Sequence, residues 1–194
     1  MDKASLLKQI AETAYNVGFG AKKHFATYDI IEKAPGLIGF LSMAVGIFAL
    51  FIDMLASKHM SAIMIILGIA ALYISSYNES KNSYDLAGKE LTRIFNDLHT
   101  LYDTVKTSAK GDWAAELGEL KKYQSASFAA CISKQILFSN WYAHYKFFWE
   151  MQIGWVDEQK QFRFFRDKVP LSLMIWAAVL LVSLIGGGSY LWLK

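Results

Sequence analysis

Residues 36–52, GLIGFLSMAVGIFALFI, and residues 60–77, MSAIMIILGIAALYISSY, decide the fold class of this 194-residue chain. Neither stretch contains an Asp, Glu, Lys or Arg, and a third stretch without charged residues occupies residues 169–193. At about 1.5 Å per residue, helices over the first two stretches would be roughly 26 Å long and a helix over the third about 38 Å, so each is long enough to cross a bilayer core. The sequence therefore predicts an all-α integral membrane protein with three transmembrane helices.

The basic residues are distributed unevenly along the chain. Of the 20 Lys and Arg, five precede Pro35 and 13 lie between Asn78 and Lys168. Segments rich in Lys and Arg remain on the cytoplasmic side of a membrane. We therefore expect a multi-pass protein of the bacterial inner membrane, with residues 1–35 and 78–168 in the cytoplasm. The link at residues 53–59 and the carboxyl terminus are then expected outside, and the first span is expected to act as an uncleaved anchor.

Apolar residues repeat at heptad spacing on both sides of the span hairpin. Between residues 2 and 34 the repeat consists of Leu7, Ile10, Ala14, Val17, Ala21, His24, Tyr28 and Ile31. After Tyr77 the same spacing includes Leu91 and Leu98, which predicts that the second span continues without interruption into a coiled-coil arm. We expect Pro35 to begin a new helix, and residues 78–168 to form a cytoplasmic helical hairpin with its turn at residues 107–112. The return, residues 113–168, is longer than the arm, so we expect a break at residues 139–140 or at Gly154.

Small residues recur within the two spans at the spacing that permits close helix packing in lipid. They are Gly39, Ser42 and Gly46 in the first span and Gly68, Ala71 and Ser75 in the second. These positions are candidates for span packing or for lining a pore. Asp53 follows the first span and is the only acidic residue near the link. In an oligomer a ring of Asp53 carboxylates would favour cations, or Asp53 simply marks where the helix leaves the hydrocarbon.

An aromatic-rich run extends from Phe138 to Phe165. Trp141, Phe148 and Trp155 are seven residues apart, which favours helix packing or assembly of the cytoplasmic region. Two other interpretations remain open: a helix lying in the membrane interface, and a surface that stacks nucleotides or single-stranded nucleic acid. We expect no direct binding of DNA.

Basic residues also gather next to the third span. Arg163, Arg166 and Lys168 precede it directly, and the simplest interpretation is that they contact anionic lipid head groups.

The sequence offers no catalytic constellation. The four His residues are scattered, with no pair at metal-ligand spacing beside a carboxylate on the same helical face. Cys131 is the only cysteine, so no internal disulfide can form. We therefore expect neither an enzyme nor a metal or cofactor site.

The order of the segments resembles a known family. A cytoplasmic amino-terminal helix leads to two closely linked spans, and a long charged helix follows at residues 78–106, NESKNSYDLAGKELTRIFNDLHTLYDTVK. Residues 169–193, VPLSLMIWAAVLLVSLIGGGSYLWL, add a carboxyl-terminal apolar segment. This layout resembles the SLATT superfamily of two-span bacterial effectors, including forms that have an additional carboxyl-terminal span.

The resemblance implies a role in bacterial anti-phage conflict systems. Members of the family associate with nucleotide second-messenger synthases, nucleotide-sensing domains or reverse transcriptases, and they are predicted to permeabilise the inner membrane. The resemblance implies that the signal for this chain comes from a separate subunit of one of these kinds, or binds the cytoplasmic helices directly. It carries no catalytic residues.

Three hypotheses follow for function. The first is a homo-oligomeric effector that forms a pore or disrupts the membrane when a cytoplasmic signal arrives, as in abortive infection. The second is a non-conducting scaffold or accessory subunit that anchors a cytoplasmic partner. The third, an integral membrane enzyme, has the least support because no acid and base residues cluster in the sequence.

Overall fold

The computed structural model describes residues 2–192, and the side chains of residues 2–183. All regular elements in this part of the chain are helical, as expected. Residues 2–192 form seven α-helices: α1 (Lys3–Phe48), α2 (Lys58–Ser75), α3 (Lys81–Thr107), α4 (Ala114–Ala130), α5 (Ser139–Glu150), α6 (Gly154–Lys160) and α7 (Leu171–Trp192). A 3₁₀ turn at Asn78–Ser80 precedes α3, and a π-helical turn at Phe164–Lys168 precedes α7. The expected end of the third span at Leu193 lies outside the described residues.

Helix α1 joins the amino-terminal amphipathic segment to the first apolar stretch without interruption. Its 46 residues correspond to a length of about 69 Å. The Asp2 carboxylate caps the first turn by accepting a hydrogen bond from the Ser5 amide at 3.1 Å. The expected new helix at Pro35 was wrong, because Pro35 lies inside α1. A proline within a helix removes one backbone hydrogen bond, and apolar helices tolerate it where the surrounding structure compensates.

Helices α1 and α3 pack against each other in antiparallel orientation. The Lys3 ammonium group donates hydrogen bonds to the carbonyl oxygens of Lys106 at 2.7 Å and Ser108 at 2.8 Å, and at the other end Lys81 pairs with Glu32. The heptad positions in both helices face this interface. Those of α1 are buried except for the half-buried Tyr28, and those of α3 include the fully buried Leu91 and Leu98. The two stripes therefore cover each other within one protomer.

A turn separates α2 from α3. Residues 76 and 77 form a turn and the 3₁₀ turn at Asn78–Ser80 follows, so the expectation of one uninterrupted helix was wrong. At the far end, α3 stops at Thr107 and the predicted turn follows it. The Asp112 carboxylate then accepts a hydrogen bond from the Ala114 amide at 3.1 Å, at the beginning of α4.

The return through residues 113–168 consists of several short helices. Helix α4 runs parallel to α1, with Gln124 bonded to Thr13 at 3.0 Å. A segment without regular secondary structure at residues 131–138, called here the strap, then passes along α1 before α5 begins. Helices α5 and α6 begin at Ser139 and Gly154, which are the two positions where a break was expected. The single row of aromatic residues expected across this region is therefore divided between separate elements.

Two hydrophobic clusters hold these elements together. The larger one lies between α1, α3, α4 and α6, and it includes the buried residues Ile10, Ile94 and Val156. The smaller one is located where the bundle meets the apolar helices, and it contains Ile31, Tyr84 and Ile136. The second cluster fixes the strap between α1 and the end of α2.

Candidate functional site: apolar helices and their junction with the bundle

Two helices are long and apolar enough to cross a membrane. They are α1, through its carboxyl-terminal part, and α2, and in each the most apolar window of 18 residues is only 6% buried. A core helix of a water-soluble protein is mostly buried, whereas these two present apolar side chains such as Phe40, Ile65 and Leu72 on the outside. Both helices are therefore consistent with membrane insertion. The described apolar part of α7, Leu171–Ser183, is shorter, so a third crossing stays a prediction.

The small residues of the spans are not used for close packing within the protomer. A Cβ atom added at Gly39, Gly46 or Gly68 would meet no other side chain or neighbouring element within 4 Å. The expected close approach of α1 and α2 at these glycines is thus not found in one protomer. The two helices are instead held at their bundle end, where Ile30 and Ile74 pack against the smaller cluster.

The other candidate positions in the hairpin are also accessible. Ser42 and Ala71 are half-buried and Ser75 is exposed. Asp53 lies exposed in the turns between α1 and α2. The structure therefore does not bring the candidate pore residues together into one site within a protomer.

Side-chain hydrogen bonds fasten the strap to the bundle. The Tyr84 hydroxyl donates to the Lys134 carbonyl at 2.6 Å, and the Thr27 hydroxyl donates to the Gln135 side-chain oxygen at 2.6 Å. The Leu137 amide approaches the Tyr73 hydroxyl of α2 at 3.4 Å. These contacts link α1, α2 and α3 through one short segment. None of these contacts follows from a pattern in the sequence.

His24 supplies a further link between the strap and α1. The Ile132 amide donates to His24 Nε2 at 3.0 Å, so this nitrogen is the acceptor and Nδ1 carries the proton. Nδ1 then donates to the Gly20 carbonyl at 2.7 Å. Burial is the main cause that lowers the pKa of His24 below its ordinary value of 6.5, and the charge of Lys23 lowers the pKa further. The neutral ring is therefore the form that holds the strap.

The beginning of α7 also contacts the bundle. The Trp141 indole Nε1 donates a hydrogen bond to the Ser172 hydroxyl at 2.8 Å. Trp141 is thus a contact between α5 and α7 rather than part of the main core. A partly buried ion pair at 2.7 Å between Lys146 and Asp29 attaches the middle of α5 to α1.

The remaining aromatic candidates pack inside the bundle. Trp155 is 8% exposed, and its ring stacks on His99 with the centroids 4.7 Å apart. Phe148 is half-buried and packs edge-on against Phe147 and Phe162. Trp155 and Phe148 therefore contribute to packing within the protomer, and their role in assembly stays a prediction. Other aromatic residues of the run, including Trp149 and Phe165, are exposed at 64% and 74%.

The basic candidates next to the third apolar segment occupy the π-helical turn and the residue before it. Arg163 and Arg166 are exposed, and Arg166 pairs with Asp167 at 2.8 Å. Lys168 is half-buried. Their proposed contact with lipid head groups stays a prediction.

Among residues 2–192, no group of three or more His, Cys, Asp or Glu side chains could hold a metal ion.

Comparison with known proteins identifies the family. No curated protein and no solved structure matches the chain. The family model SLATT_6, described as SMODS and SLOG-associating 2TM effector domain 6, matches residues 1–177. The matched region contains the bundle, both apolar helices α1 and α2, and the first residues of α7. The resemblance noted in the sequence is therefore confirmed, and it supports a role as a membrane effector in conflict systems. The chain belongs to the SLATT family of SMODS and SLOG-associating two-transmembrane effectors.

Proposed function

We propose that this protein is an inner-membrane effector of a bacterial anti-phage system that assembles into homo-oligomers and permeabilises the membrane. Activation depends on a cytoplasmic signal delivered to the helical bundle. A separate nucleotide-signal synthase, a sensor subunit or a reverse transcriptase supplies that signal. The result is arrest or death of the infected cell, as in abortive infection.

One observation carries this proposal: the apolar surface of α2 and of the carboxyl-terminal part of α1 is almost entirely uncovered, whereas the apolar stripes of the bundle are buried within the protomer. Apolar helices with open glycine faces associate readily in lipid, because small residues allow two backbones to approach closely. Assembly between protomers would therefore use the spans rather than Leu91, Leu98 or Trp155. The open faces at Gly39 and Gly46 are the positions where a second protomer would fit.

The proposed topology has the bundle in the cytoplasm and α7 as a third crossing, with the carboxyl terminus outside. It is supported by the contact between Trp141 and Ser172, because this contact lies close to Tyr73 at the bundle end of α2. All three apolar helices then leave the bundle at the same end. In this arrangement Arg163, Arg166 and Lys168 face the lipid head groups, and Asp53 lies at the outer surface.

Leucine substitutions at the open glycines test the proposal. The double substitution Gly39→Leu with Gly46→Leu adds bulk where one protomer has free space, so it should leave the protomer fold intact. We expect the wild-type protein to form oligomers in nanodiscs and to release dye from liposomes once activated. We expect the double variant to remain monomeric and to release no dye. Gly118→Leu, at an open glycine of α4 in the bundle, is the matched control and should behave as the wild type does. Equal dye release from the double variant and the wild type would contradict assembly through this face.

The exposed aromatic surface of the bundle favours the scaffold as the second candidate. Phe128 on α4 is 88% exposed, which is unusual for a side chain that no partner covers. A scaffold would retain a cytoplasmic partner through this surface and would not conduct. Loss of partner capture in Phe128→Ser, together with no dye release from any variant, would identify the scaffold function.

A further inference from the structure

Two clefts adjoin where the strap meets the apolar helices. The first, of about 260 Å³, is lined by Ile30 and Ala34 of α1, by Ala70, Tyr73 and Ile74 of α2, and by strap residues 136–138. The second, of about 470 Å³, lies between the strap, α5 and α7. They share Tyr73 and strap residues 136–138 as lining, so one ligand of moderate size would occupy both.

The two clefts differ in chemical character. Apart from the Tyr73 ring, the first is lined only by aliphatic and phenyl side chains, and we call it the apolar cleft. The second is also lined mostly by apolar side chains, but it contains the polar groups of Lys23, Gln135, Asn140 and Ser172, and for these we call it the polar cleft. A molecule that fills both must therefore have an apolar part and a polar part.

The charge of the polar cleft favours an anionic head group. Lys23 lines it, and no acidic residue lines either cleft. Among the described residues Lys23 forms no ion pair, in contrast to Lys146, which pairs with Asp29 at 2.7 Å. A half-buried ammonium group without a carboxylate is suited to bind a phosphate.

The positions of the lining residues along α1 define the orientation of the ligand. Lys23 precedes Ala34 by 11 residues, which corresponds to about 16 Å along the helix. The cationic end therefore lies toward the bundle and the apolar end toward the spans. A phospholipid in the adjacent leaflet has the same orientation, with its phosphate at the interface and its chains toward the bilayer centre.

The strap is held in a strained conformation at the point shared by the clefts. Phe138 has φ 67°, in the left-handed region, although it is not a glycine. This conformation is unfavourable for a residue other than glycine and persists only where the surrounding structure imposes it. The Phe138 side chain lines both clefts and is 56% exposed. An acyl chain lying against this ring would cover apolar surface that the protomer leaves open.

We propose that the two clefts bind one anionic membrane phospholipid, with an acyl chain in the apolar cleft between α1, α2 and the strap and its phosphate beside Lys23. The bound lipid contacts α2, the strap and α7 at once, through Tyr73, Phe138 and Trp176. This inference does not depend on permeabilisation, and its test involves no leakage measurement. It goes beyond general contact with the bilayer because it assigns one lipid to one site.

The test compares two identical substitutions in the same helix. The full-length protein is reconstituted in nanodiscs that contain equal amounts of phosphatidylglycerol and phosphatidylcholine, and the retained lipid is then identified by native mass spectrometry. We expect one phosphatidylglycerol per wild-type protomer. Ala70→Phe fills the apolar cleft and should reduce this retention by about tenfold or more. Ala62→Phe adds the same ring at an exposed position of α2 outside both clefts and should retain the lipid.

The head-group contact is tested separately, and it does not require a substitution in a span. Lys23→Gln should abolish the preference for phosphatidylglycerol over phosphatidylcholine, whereas Lys8→Gln, at an exposed position of α1, should preserve it. Equal retention by the Ala70→Phe and Ala62→Phe variants would overturn the proposal, because the lipid would then be annular. Equal retention of the two lipids by the wild type would also overturn it. Displacement of phosphatidylglycerol by an equimolar amount of oleate would identify a free fatty acid as the ligand and reject the membrane phospholipid.

Discussion

Two nearby glycines of α1 should differ in how the same substitution changes the free energy of unfolding. A Cβ atom at Gly18 would lie 2.8 Å from Phe95 Cδ2 and 3.0 Å from Phe147 Cε2. Both rings are buried, at 4% and 0% exposure, so neither ring can turn into solvent to make room. At Gly20 the nearest atom is Leu91 Cδ1 at 3.7 Å, which is an ordinary van der Waals contact. The two positions therefore share a helix and differ mainly in the space available.

The expected magnitudes follow from helix propensity and packing. Replacing glycine with alanine inside a helix contributes about 1 kcal/mol to the free energy of unfolding, and overpacking a filled core costs about 1–3 kcal/mol. Gly20→Ala should therefore stabilise the protein by about 1 kcal/mol, whereas Gly18→Ala should be neutral or destabilise it by up to about 2 kcal/mol. The propensity gain is common to both variants, so the difference between them measures the overpacking cost alone.

Thermal unfolding of the purified full-length protein, followed by tryptophan fluorescence, provides the measurement. For a chain of this size each kcal/mol corresponds to about 2–4 °C in Tm, so Gly18→Ala should melt several degrees below Gly20→Ala. Gly88→Ala is an informative third variant, because its Cβ would lie 2.8 Å from Phe25, whose ring is only half-buried and is able to move. It should fall between the other two. A Gly18→Ala protein that melts at or above the temperature of Gly20→Ala would refute the close approach of α1, α3 and α5.

Three further predictions concern charged groups. Because burial lowers the pKa of His24, the unfolded chain binds a proton at this residue before the folded protein does as the pH falls. The free energy of unfolding should therefore decrease below pH 6.5, and it should decrease less steeply in His24→Gln. Unfolding titrations at several pH values measure this difference. Asp29→Asn removes the carboxylate closest to Lys146, whose side chain is only 15% exposed. Because the ammonium group then remains partly buried without this partner, the free energy of unfolding should fall by about 1–3 kcal/mol in denaturant titrations. Lys106→Ala removes a similar contact with Glu158, but both side chains are about half exposed; the same titration should show a loss below about 1 kcal/mol.

The helical stripes could be predicted from sequence because they depend on local spacing. A residue such as Leu91 or Leu98 is placed on one face of its helix by its position in the heptad, whatever that helix packs against. The partner of the stripe does not follow from this spacing. Helix α3 packs against the amino-terminal half of α1, and the return through residues 113–168 packs around this pair. A periodic pattern defines a face, whereas the choice between several apolar faces depends on the whole fold.

Helix boundaries were predictable where glycine or a short polar run interrupts the pattern, as at Gly154 and at residues 107–112. Pro35 gave a misleading signal. Proline removes one hydrogen bond from a helix but does not end it when the chain on both sides is strongly helical and the neighbouring structure compensates. The bundle packs against α1 before Pro35, and apolar residues favourable to a helix follow it, so α1 continues.

The strap could not be predicted because its conformation is imposed by residues far away in the chain. Residues 131–138, CISKQILF, contain neither glycine nor proline, so nothing local indicates that α4 ends at Ala130. Its non-helical backbone is held instead by His24, which is 108 residues from Ile132, and by Tyr84, which is 50 residues from Lys134. Each bond satisfies a backbone group that a helix would have paired internally. The heptad spacing places His24 on the apolar stripe of α1, but its hydrogen bond to Ile132 depends on the positions of both segments. The clefts could not be predicted for the same reason, since each is lined by residues from several elements and no single element shows it as a periodic pattern.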